Sequence, residues 1–268
     1  MIKVAIIGAA GRMGRRLISN ISEAEDMTLS GAAEYAASPF IGHDAGEVAG
    51  CGKCGINITA DINDFLADTD AIIDFSTGPV VENATAAVAQ NCAVVIGTTA
   101  LGDEGKAALQ KLADNGGRIV FASNMSVGVN LLFHLSEMVA GILDEEYDIE
   151  IVEMHHNQKK DAPSGTAVTL AEKVTGARGL SYNDDVVHGR EGIVGARTKK
   201  EVGMHAVRGG DVVGDHTVIF ATQGERIELT HKASSRDTFA KGALRAVRFL
   251  AEKQPGLYDM QDVLNLKK

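Results

Sequence analysis

The chain has 268 residues, a hydrophobic content of 45% and a formal net charge of −10 at pH 7. This composition excludes a disordered chain and predicts a packed globular protein with two domains or one large α/β domain. The acidic balance argues against nucleic acid or an anionic membrane as a partner, since both require clustered lysine and arginine, but it is compatible with a small anionic substrate.

No apolar run reaches the roughly 18 residues that a transmembrane helix needs, and residues 1–8 are too short for a signal peptide. We therefore expect a cytosolic protein. Cys51, Cys54 and Cys92 are too few for a disulfide framework. Cys51 and Cys54 have C-x-x-C spacing, but no second ligand pair accompanies them. We interpret them as reduced thiols in a glycine-rich loop rather than as a redox or zinc site.

The chain opens with a predicted buried strand over residues 2–7, followed by a glycine-rich loop and a helical pattern that runs through Ile21. In the G-x-x-G-x-x-G variant of the dinucleotide fingerprint, the early glycines allow backbone amides to approach a pyrophosphate, and the last lets the helix pack on the strand. The loop therefore predicts a dinucleotide site. Its residues are Gly8, Ala9, Ala10, Gly11, Arg12, Met13 and Gly14.

An acidic residue ends the second predicted strand, near residues 27–33. Glu34 lies 20 positions after Gly14, where a carboxylate can accept hydrogen bonds from an adenosine ribose. A solvated loop glutamate is the alternative interpretation. Tyr35 follows, and Arg12 is the nearest candidate to receive a 2′-phosphate, so the spacing favours NADH over NADPH. Residues 36–60 receive no assignment.

Strands and helices then alternate, which predicts a doubly wound parallel sheet. The strands are expected at 71–75, 93–96 and 118–121, and the helices at 62–67, 80–90 and 101–115. Ligands bind beyond the carboxyl ends of such strands. A single serine or threonine after a strand is more often a turn former. Polar residues at the ends of successive strands are, taken together, candidates to contact the nicotinamide side of the cofactor. They lie in Phe75-Ser76-Thr77, Gly97-Thr98-Thr99 and Ala122-Ser123-Asn124-Met125.

A second, mixed α+β region is predicted beyond this sheet. A long helix over 126–144 leads to a strand at 147–152, and a helix begins near 167. Short strands are expected at 186–187 and 204–207, and a hairpin at 215–221 and 225–231. A final helix is predicted over 238–252.

Side chains that can move protons lie between the strand at 147–152 and the next helix. A lone histidine is more often structural, but His155 stands with Lys159 and a helix start at Ser164-Gly165-Thr166. Histidine titrates near neutral pH and suits acid–base work, and Lys159 can donate a proton. Helix amides at Gly165 and Thr166 suit a carboxylate. Without an HExxH pattern, we do not expect a metal site.

Five segments resemble the bacterial 4-hydroxy-tetrahydrodipicolinate reductases, also called dihydrodipicolinate reductases. They occur in the family's order over nearly the whole chain, and E-x-H-H-x-x-K-x-D-A-P-S-G-T is far more specific than the glycine loop. The segments are 8–14, 97–99, 124–130, 153–166 and 231–236.

The resemblance implies NAD(P)H-dependent reduction of 4-hydroxy-tetrahydrodipicolinate, a cyclic imine dicarboxylate, to tetrahydrodipicolinate in lysine and diaminopimelate synthesis. By this likeness His155 is the acid–base residue and Lys159 the second proton donor. The substrate carboxylates would be held by His156, Gly165 and Thr166. The cofactor would contact residues 8–13, Glu34, 97–99 and 122–125.

The resemblance also implies the domain organisation and assembly. Residues 1–126 and 236–268 would bind the dinucleotide, and 127–235 would bind substrate and form a homotetramer through their sheet. Family members often carry arginine where this chain has Tyr35, and that arginine would meet the NADPH phosphate. This departure agrees with the preference for NADH.

Two other functions remain open at this point. Another two-domain dehydrogenase, acting on aspartate or homoserine, would share the cofactor half but would not need His-His-x-x-Lys beside Ser-Gly-Thr. A non-catalytic nucleotide sensor would not need the cluster of proton-transferring side chains.

Overall fold

A computed structural model of the chain describes residues 1–98 and 101–267. The chain divides into two compact units, Met1–Val127 with Arg236–Lys268, and Gly128–Ser235. Within the described residues, no helix is both long enough and apolar enough to cross a membrane.

The strands and helices alternate along most of the chain. The strands are β1 (Ile2–Ile7), β2 (Met27–Ala33), β3 (Ala71–Asp74), β4 (Ala93–Ile96), β5 (Arg118–Phe121), β6 (Asp148–His155), β7 (Val186–His188), β8 (Val202–Arg208), β9 (Gly214–Thr222), β10 (Glu225–Ala233) and β11 (Gly256–Tyr258). The helices are α1 (Arg12–Ser22), α2 (Ala45–Ala49), α3 (Asn63–Leu66), α4 (Val80–Ala89), α5 (Gly102–Asp114), α6 (Val127–Ile142), α7 (Gly165–Ala177), α8 (Tyr182–Asp185), α9 (Asp237–Ala251) and α10 (Met260–Val263).

The first unit is built on a parallel sheet with strand order β11-β5-β4-β3-β1-β2. Every residue of β3 and β4 is buried, as expected for strands covered on both faces. Leu17 of α1 and Val247 of α9 belong to one core cluster, and Ala84 of α4 and Leu109 of α5 belong to another. These helices therefore cover the sheet with two separate cores, which confirms the predicted doubly wound sheet.

The strand order places a ligand-binding edge at the carboxyl ends of β1 and β3. These strands pair directly, although β2 lies between them in the sequence. The order of strands reverses at this point, and open α/β sheets bind ligands there. The sixth strand, β11, was not predicted, because three residues are too few to show a periodic pattern.

The second unit has a mixed sheet with strand order β10-β9-β6-β8-β7. Strand β6 pairs antiparallel with β9 and parallel with β8. Apolar residues of α6 and α7, including Phe133 and Leu170, pack on one face of this sheet against Ile149, Ile151 and Phe220. This arrangement confirms the predicted α+β character of the second region.

Strand β6 is longer than the sequence predicted. The expected strand at 147–152 continues to His155, because β8 and β9 pair with β6 beyond Val152. Burial alternates strictly along β6, so the residues at 149, 151, 153 and 155 share the buried face. This extension decides which side chains of the proton-transfer segment point inward.

The unassigned segment 36–60 contains α2 and is organised by Asp44. The Asp44 carboxylate accepts hydrogen bonds from the amides of Gly46, Glu47, Cys54 and Gly55 at 2.7–3.1 Å. Cys51 and Cys54 are free and exposed, and Cys92 is free and buried.

Candidate active site

The glycine loop of the first unit is closely packed between β1 and α1. Gly8 has a φ of +81°. A Cβ atom on Gly14 would lie 2.1 Å from the carbonyl oxygen of Gly8 and 2.7 Å from the main chain of Ala9. A side chain at residue 14 would therefore push the loop away from α1, so this packing requires glycine.

The start of α1 faces the end of this loop without a side-chain cap. Its N-cap residue is Gly11, whose amide donates to the carbonyl oxygen of Gly8 at 3.1 Å. The first amides of a helix and its dipole together favour an anion. The close packing at Gly14 and the uncapped helix start fit the pyrophosphate of a dinucleotide.

The carboxylate of Glu34 lies against the same loop. Its Oε2 accepts a hydrogen bond from the amide of Ala10 at 3.0 Å, and its Oε1 accepts one from the amide of Tyr35 at 3.2 Å. Tyr35 itself is 65% exposed. Glu34 therefore occupies the position where the fingerprint places an acceptor for ribose hydroxyls.

A groove of about 490 Å³ connects the loop with the ends of the neighbouring strands. The glycine loop, the acidic residue after β2 and the predicted strand end after β3 are thus brought together. The groove is lined in part by Gly8, Gly11, Glu34, Tyr35, Phe75, Ser76 and Thr77.

The residues that follow β4 and β5 differ in how far they are buried. A Cβ atom on Gly97 would lie 2.2 Å from the ring of Phe75, so the end of β4 packs against the end of β3. Thr98 follows and is half-buried, and Thr99 lies outside the described residues. Ser123 is exposed, and Asn124 Oδ1 accepts a hydrogen bond from the Ser126 amide at 2.8 Å.

Three of the residues expected to contact the cofactor have side chains that belong to the core of the first unit. Ala9, Ala122 and Met125 belong to the core cluster that contains α1 and α9. Met125 is buried because Gly242 of α9 packs closely against it. A Cβ atom on Gly242 would lie 1.7 Å from the carbonyl oxygen of Met125. These residues present little surface to a ligand.

In the second unit, the imidazole of His155 is held by Glu153. His155 Nδ1 lies 2.6 Å from Glu153 Oε2, and both residues lie on the buried face of β6. Because an ionised carboxylate only accepts hydrogen bonds, Nδ1 carries a hydrogen and donates a hydrogen bond to Glu153. Nε2 is therefore the nitrogen that can exchange a proton with a substrate. We call Glu153 and His155 the dyad.

Arg208, on the neighbouring strand β8, clamps the carboxylate of the dyad. Its Nη1 and Nη2 groups donate to Oε2 and Oε1 of Glu153 at 2.8 and 2.9 Å. Burial would raise the pKa of Glu153, but the hydrogen bonds from His155 and Arg208 outweigh it and lower the pKa to about 2. Glu153 is therefore ionised at neutral pH although it is fully buried.

A second histidine lies beside the dyad. His216 on β9 is directly opposite Glu153, and its ring is T-shaped to that of His155 with centroids 5.2 Å apart. Burial, and then the charge of His155, lower the pKa of His216 to about 3. His216 is therefore neutral near pH 7, and its Nε2 lies 3.1 Å from the hydroxyl of Ser164.

The loop after β6 carries Lys159 and leads to the start of α7. Lys159 Nζ lies 2.9 Å from Asp161 Oδ2. Electrostatic interaction with Lys159, like that with His155, lowers the pKa of His216, so both side chains lie near this ring. Arg208 also donates to the carbonyl oxygen of Asp161 at 2.7 Å, which ties the loop to the dyad.

The predicted helix start at Ser164 is confirmed. The Ser164 hydroxyl caps α7 by accepting a hydrogen bond from the amide of Ala167 at 3.2 Å. Gly165 is exposed and Thr166 is buried. His156 follows the end of β6, and its amide donates to the carbonyl oxygen of Val212 at 2.8 Å.

Family profiles match nearly the whole chain. Residues 2–125 match the profile described as "Dihydrodipicolinate reductase, N-terminus", and residues 128–264 match "Dihydrodipicolinate reductase, C-terminus". The chain belongs to the dihydrodipicolinate reductase family.

Curated members of the family match along their full length. The 4-hydroxy-tetrahydrodipicolinate reductase of Syntrophotalea carbinolica is 53% identical over 268 residues, and that of Geotalea daltonii is 50% identical, each alignment covering 100% of both chains. The dipicolinate-bound dihydrodipicolinate reductase of Paenisporosarcina sp. TG-14 superposes with a TM-score of 0.76 at 24% identity, covering 98% of each chain. This last likeness shows the shared fold.

Two residues beside the dyad were missed in the sequence. Arg208 and His216 lie 55 and 63 positions from Glu153, so only the strand pairing brings them to it. His216 left a usable signal, since it alternates with Val218 and Phe220 on the buried face of the predicted strand. Arg208 left none, because no motif or periodic pattern in the sequence connects it with Glu153.

The histidines and carboxylates of this dihydrodipicolinate reductase family member do not form a metal site in the described residues. No group of three His, Cys, Asp or Glu side chains with the geometry to hold a metal ion occurs in residues 1–98 and 101–267. Glu153 is directed instead to His155 and Arg208.

Proposed function

We propose that this chain reduces 4-hydroxy-tetrahydrodipicolinate to tetrahydrodipicolinate with NAD(P)H, a step of lysine and diaminopimelate synthesis. The curated relatives that share its full length carry the name of this reaction. The observation that carries the proposal is the dyad, because it holds an imidazole with a defined free nitrogen close to the capped start of α7. This combination suits a substrate that needs both a proton and a carboxylate-binding group.

The first unit would hold the dinucleotide, which supplies the hydride when bound. The glycine loop and the uncapped start of α1 would receive the pyrophosphate, and Glu34 would accept hydrogen bonds from the ribose. The expected cofactor-binding segments are 1–126 and 236–268. The nicotinamide end would meet Ser76, Thr77, Gly97 and Thr98, which follow β3 and β4.

The second unit, over 127–235, would bind the substrate and supply protons. His155 would donate through Nε2 while Glu153 holds Nδ1, and Lys159 would act as the second donor. The amides of Gly165 and Thr166 at the start of α7, together with His156, would hold the substrate carboxylates. The salt bridge from Asp161 to Lys159 would hold that ammonium group in place.

NADH is the proposed preferred cofactor. Glu34 would repel a 2′-phosphate at the position where it accepts ribose hydroxyls, and exposed Tyr35 offers no positive charge to compensate. Arg12 is exposed at the start of α1 and is the remaining cation that could receive this phosphate. Use of NADPH is therefore expected to be weaker rather than absent.

A homotetramer is the proposed assembly, formed through the face of the second sheet opposite α6 and α7. Val152, Met154 and Ile219 point to this face, because each alternates with a buried residue on its strand. Val207 lies on the same face, because it pairs with Met154 in the register of β8 against β6. Light scattering should give a mass near four times 28.2 kDa. A mass of one or two chains would contradict this assembly.

The free thiols of Cys51 and Cys54 are typical of a reducing compartment, so we place the reaction in the cytosol.

The reaction is tested by following NADH oxidation while a synthase generates the unstable substrate from pyruvate and aspartate semialdehyde. We expect oxidation that depends on the synthase, and a slower rate with NADPH. Binding of NADH without synthase-dependent oxidation would contradict the proposed reaction and favour a nucleotide sensor.

A further inference from the structure

Glu153 connects the group proposed to move protons with the helix proposed to bind a carboxylate. Its Oε2 lies 2.6 Å from His155 Nδ1, and its Oε1 accepts a hydrogen bond from the amide of Ser164 at 3.0 Å. Ser164 is the N-cap residue of α7. One oxygen of this carboxylate is therefore hydrogen-bonded to the imidazole, and the other is hydrogen-bonded to the residue at which the helix begins.

The orientation of this carboxylate is fixed. Arg208 donates to both oxygens and, through Nη2, also to the carbonyl oxygen of Asp161. Bidentate pairing with a guanidinium group restricts rotation of a carboxylate. Glu153 is 0% exposed, so it is shielded from solvent and does not present a surface to the substrate.

We propose that Glu153 is a positioning residue, which through Oε2 keeps Nε2 of His155 as the proton donor and through Oε1 fixes the start of α7. This inference rests on the proposed reduction. When Nε2 gives its proton to the substrate, the N–H bond at Nε2 breaks, its electron pair stays on Nε2, and the proton forms a bond to the substrate. The proton on Nδ1 stays covalently bound to Nδ1 and hydrogen-bonded to Glu153. The neutral product form of His155 therefore has a single tautomer.

The other charged and titratable groups around the dyad leave this role to Glu153. Arg208 approaches from β8, His216 from β9, and Lys159 and Asp161 from the loop after β6. His216 is neutral near pH 7 because burial lowers its pKa to about 3. The carboxylate of Asp161 forms a salt bridge with Lys159, whereas the carboxylate of Glu153 is hydrogen-bonded to His155.

Glu150 offers a matched control on the same strand. Its carboxylate also accepts hydrogen bonds from a histidine and two arginines. The donors are His205 Nε2 at 2.7 Å, Arg190 Nη2 at 2.7 Å and Arg197 Nε at 3.0 Å. Its pKa is likewise about 2, because these hydrogen bonds outweigh the effect of burial. Glu150 lies on the opposite face of β6, away from His155.

The experiment compares Glu153→Gln with Glu150→Gln in the full-length protein, using pH profiles of kcat and a mass measurement for each variant. Glutamine retains an acceptor for the Ser164 amide, but it removes the charge that stabilises the imidazolium. We expect kcat of Glu153→Gln to fall about tenfold or more, and its alkaline limb to move to lower pH by about 1 unit. Glu150→Gln should keep the wild-type profile.

A measurement without substrate separates this inference from the proposed reaction. Nitrogen-15 spectra of histidine-labelled protein report which ring nitrogen carries the proton when the imidazole is neutral. The His155 signal is assigned as the one lost in His155→Asn. We expect proton on Nδ1 in the wild type and in Glu150→Gln, and on Nε2 in Glu153→Gln. An unchanged tautomer or an unchanged pH profile in Glu153→Gln would overturn the role of Glu153, whereas failure of the reaction alone would leave the tautomer result standing.

A second variant covers the case in which Glu153→Gln does not fold because Arg208 loses its partner. Glu153→Gln combined with Arg208→Met removes both charges together, which avoids an unpaired buried guanidinium group. The double variant should show the same change of tautomer. Retention of the proton on Nδ1 in this variant would also contradict the inference.

Discussion

A Cβ atom added to Gly214 would lie 3.0 Å from Nε2 of His155. Gly214 begins β9, and the register of β9 against β6 brings it beside the end of the dyad. The nitrogen proposed to donate a proton is therefore accessible in part because residue 214 has no side chain.

Gly214→Ala should lower kcat about tenfold or more, because the methyl group displaces or covers the imidazole, and small misplacements of a catalytic group are costly. Gly176→Ala in α7 is the control, since a Cβ there meets nothing within 4 Å. Steady-state rates of both variants, with melting temperatures to verify folding, test this. A rate for Gly214→Ala within twofold of the wild type would mean that His155 Nε2 is not the donor.

Tyr35→Arg should raise the ratio of kcat/KM for NADPH over NADH about tenfold or more. A guanidinium group at this exposed position would pair with the 2′-phosphate, and a charge-assisted hydrogen bond is worth about 1.5–3 kcal/mol. Tyr35→Gln removes the ring without adding charge and should leave the ratio near that of the wild type. Equal ratios in all three proteins would place the phosphate elsewhere.

His216 should make the fold sensitive to acid. Its pKa is lowered by burial from 6.5 to about 3, so in this window the unfolded chain binds a proton that the folded chain does not. Stability is therefore lost as the pH falls through 6.5. Between pH 7 and pH 5 the wild type should lose about 2 kcal/mol more than His216→Gln. Urea unfolding of both proteins at the two pH values measures the difference, and equal losses would refute it.

The sequence predicted the fold where a local pattern carried it. The period-two alternation in β6 and the alternation of buried strands with amphipathic helices were visible along the chain. Short elements such as α8 and β11 were missed, because they span four and three residues and owe their existence to neighbours in space. The hydrogen bonds of Asp44 organise residues 36–60 in a similar way, without any periodic signal.

The candidate site was only partly predictable for a related reason. His155, Lys159 and Ser164 lie within ten positions, so their proximity could be inferred. Arg208 and His216 reach Glu153 only through the pairing of β6 with β8 and β9. The role of Glu153 depended on where β6 ends, since a strand that stopped at Val152 would not fix its side chain on the buried face.

His155 and Lys159 are proposed to supply the protons for reduction of the cyclic imine. The most direct test is synthase-coupled oxidation of NADH by the double variant His155→Ala with Lys159→Ala, with NADH binding measured by fluorescence in parallel. We predict that turnover falls at least about a hundredfold while NADH binding is unchanged, because the residues proposed to bind the cofactor belong to the first unit. Near-normal turnover in the double variant would show that these two side chains do not supply the protons.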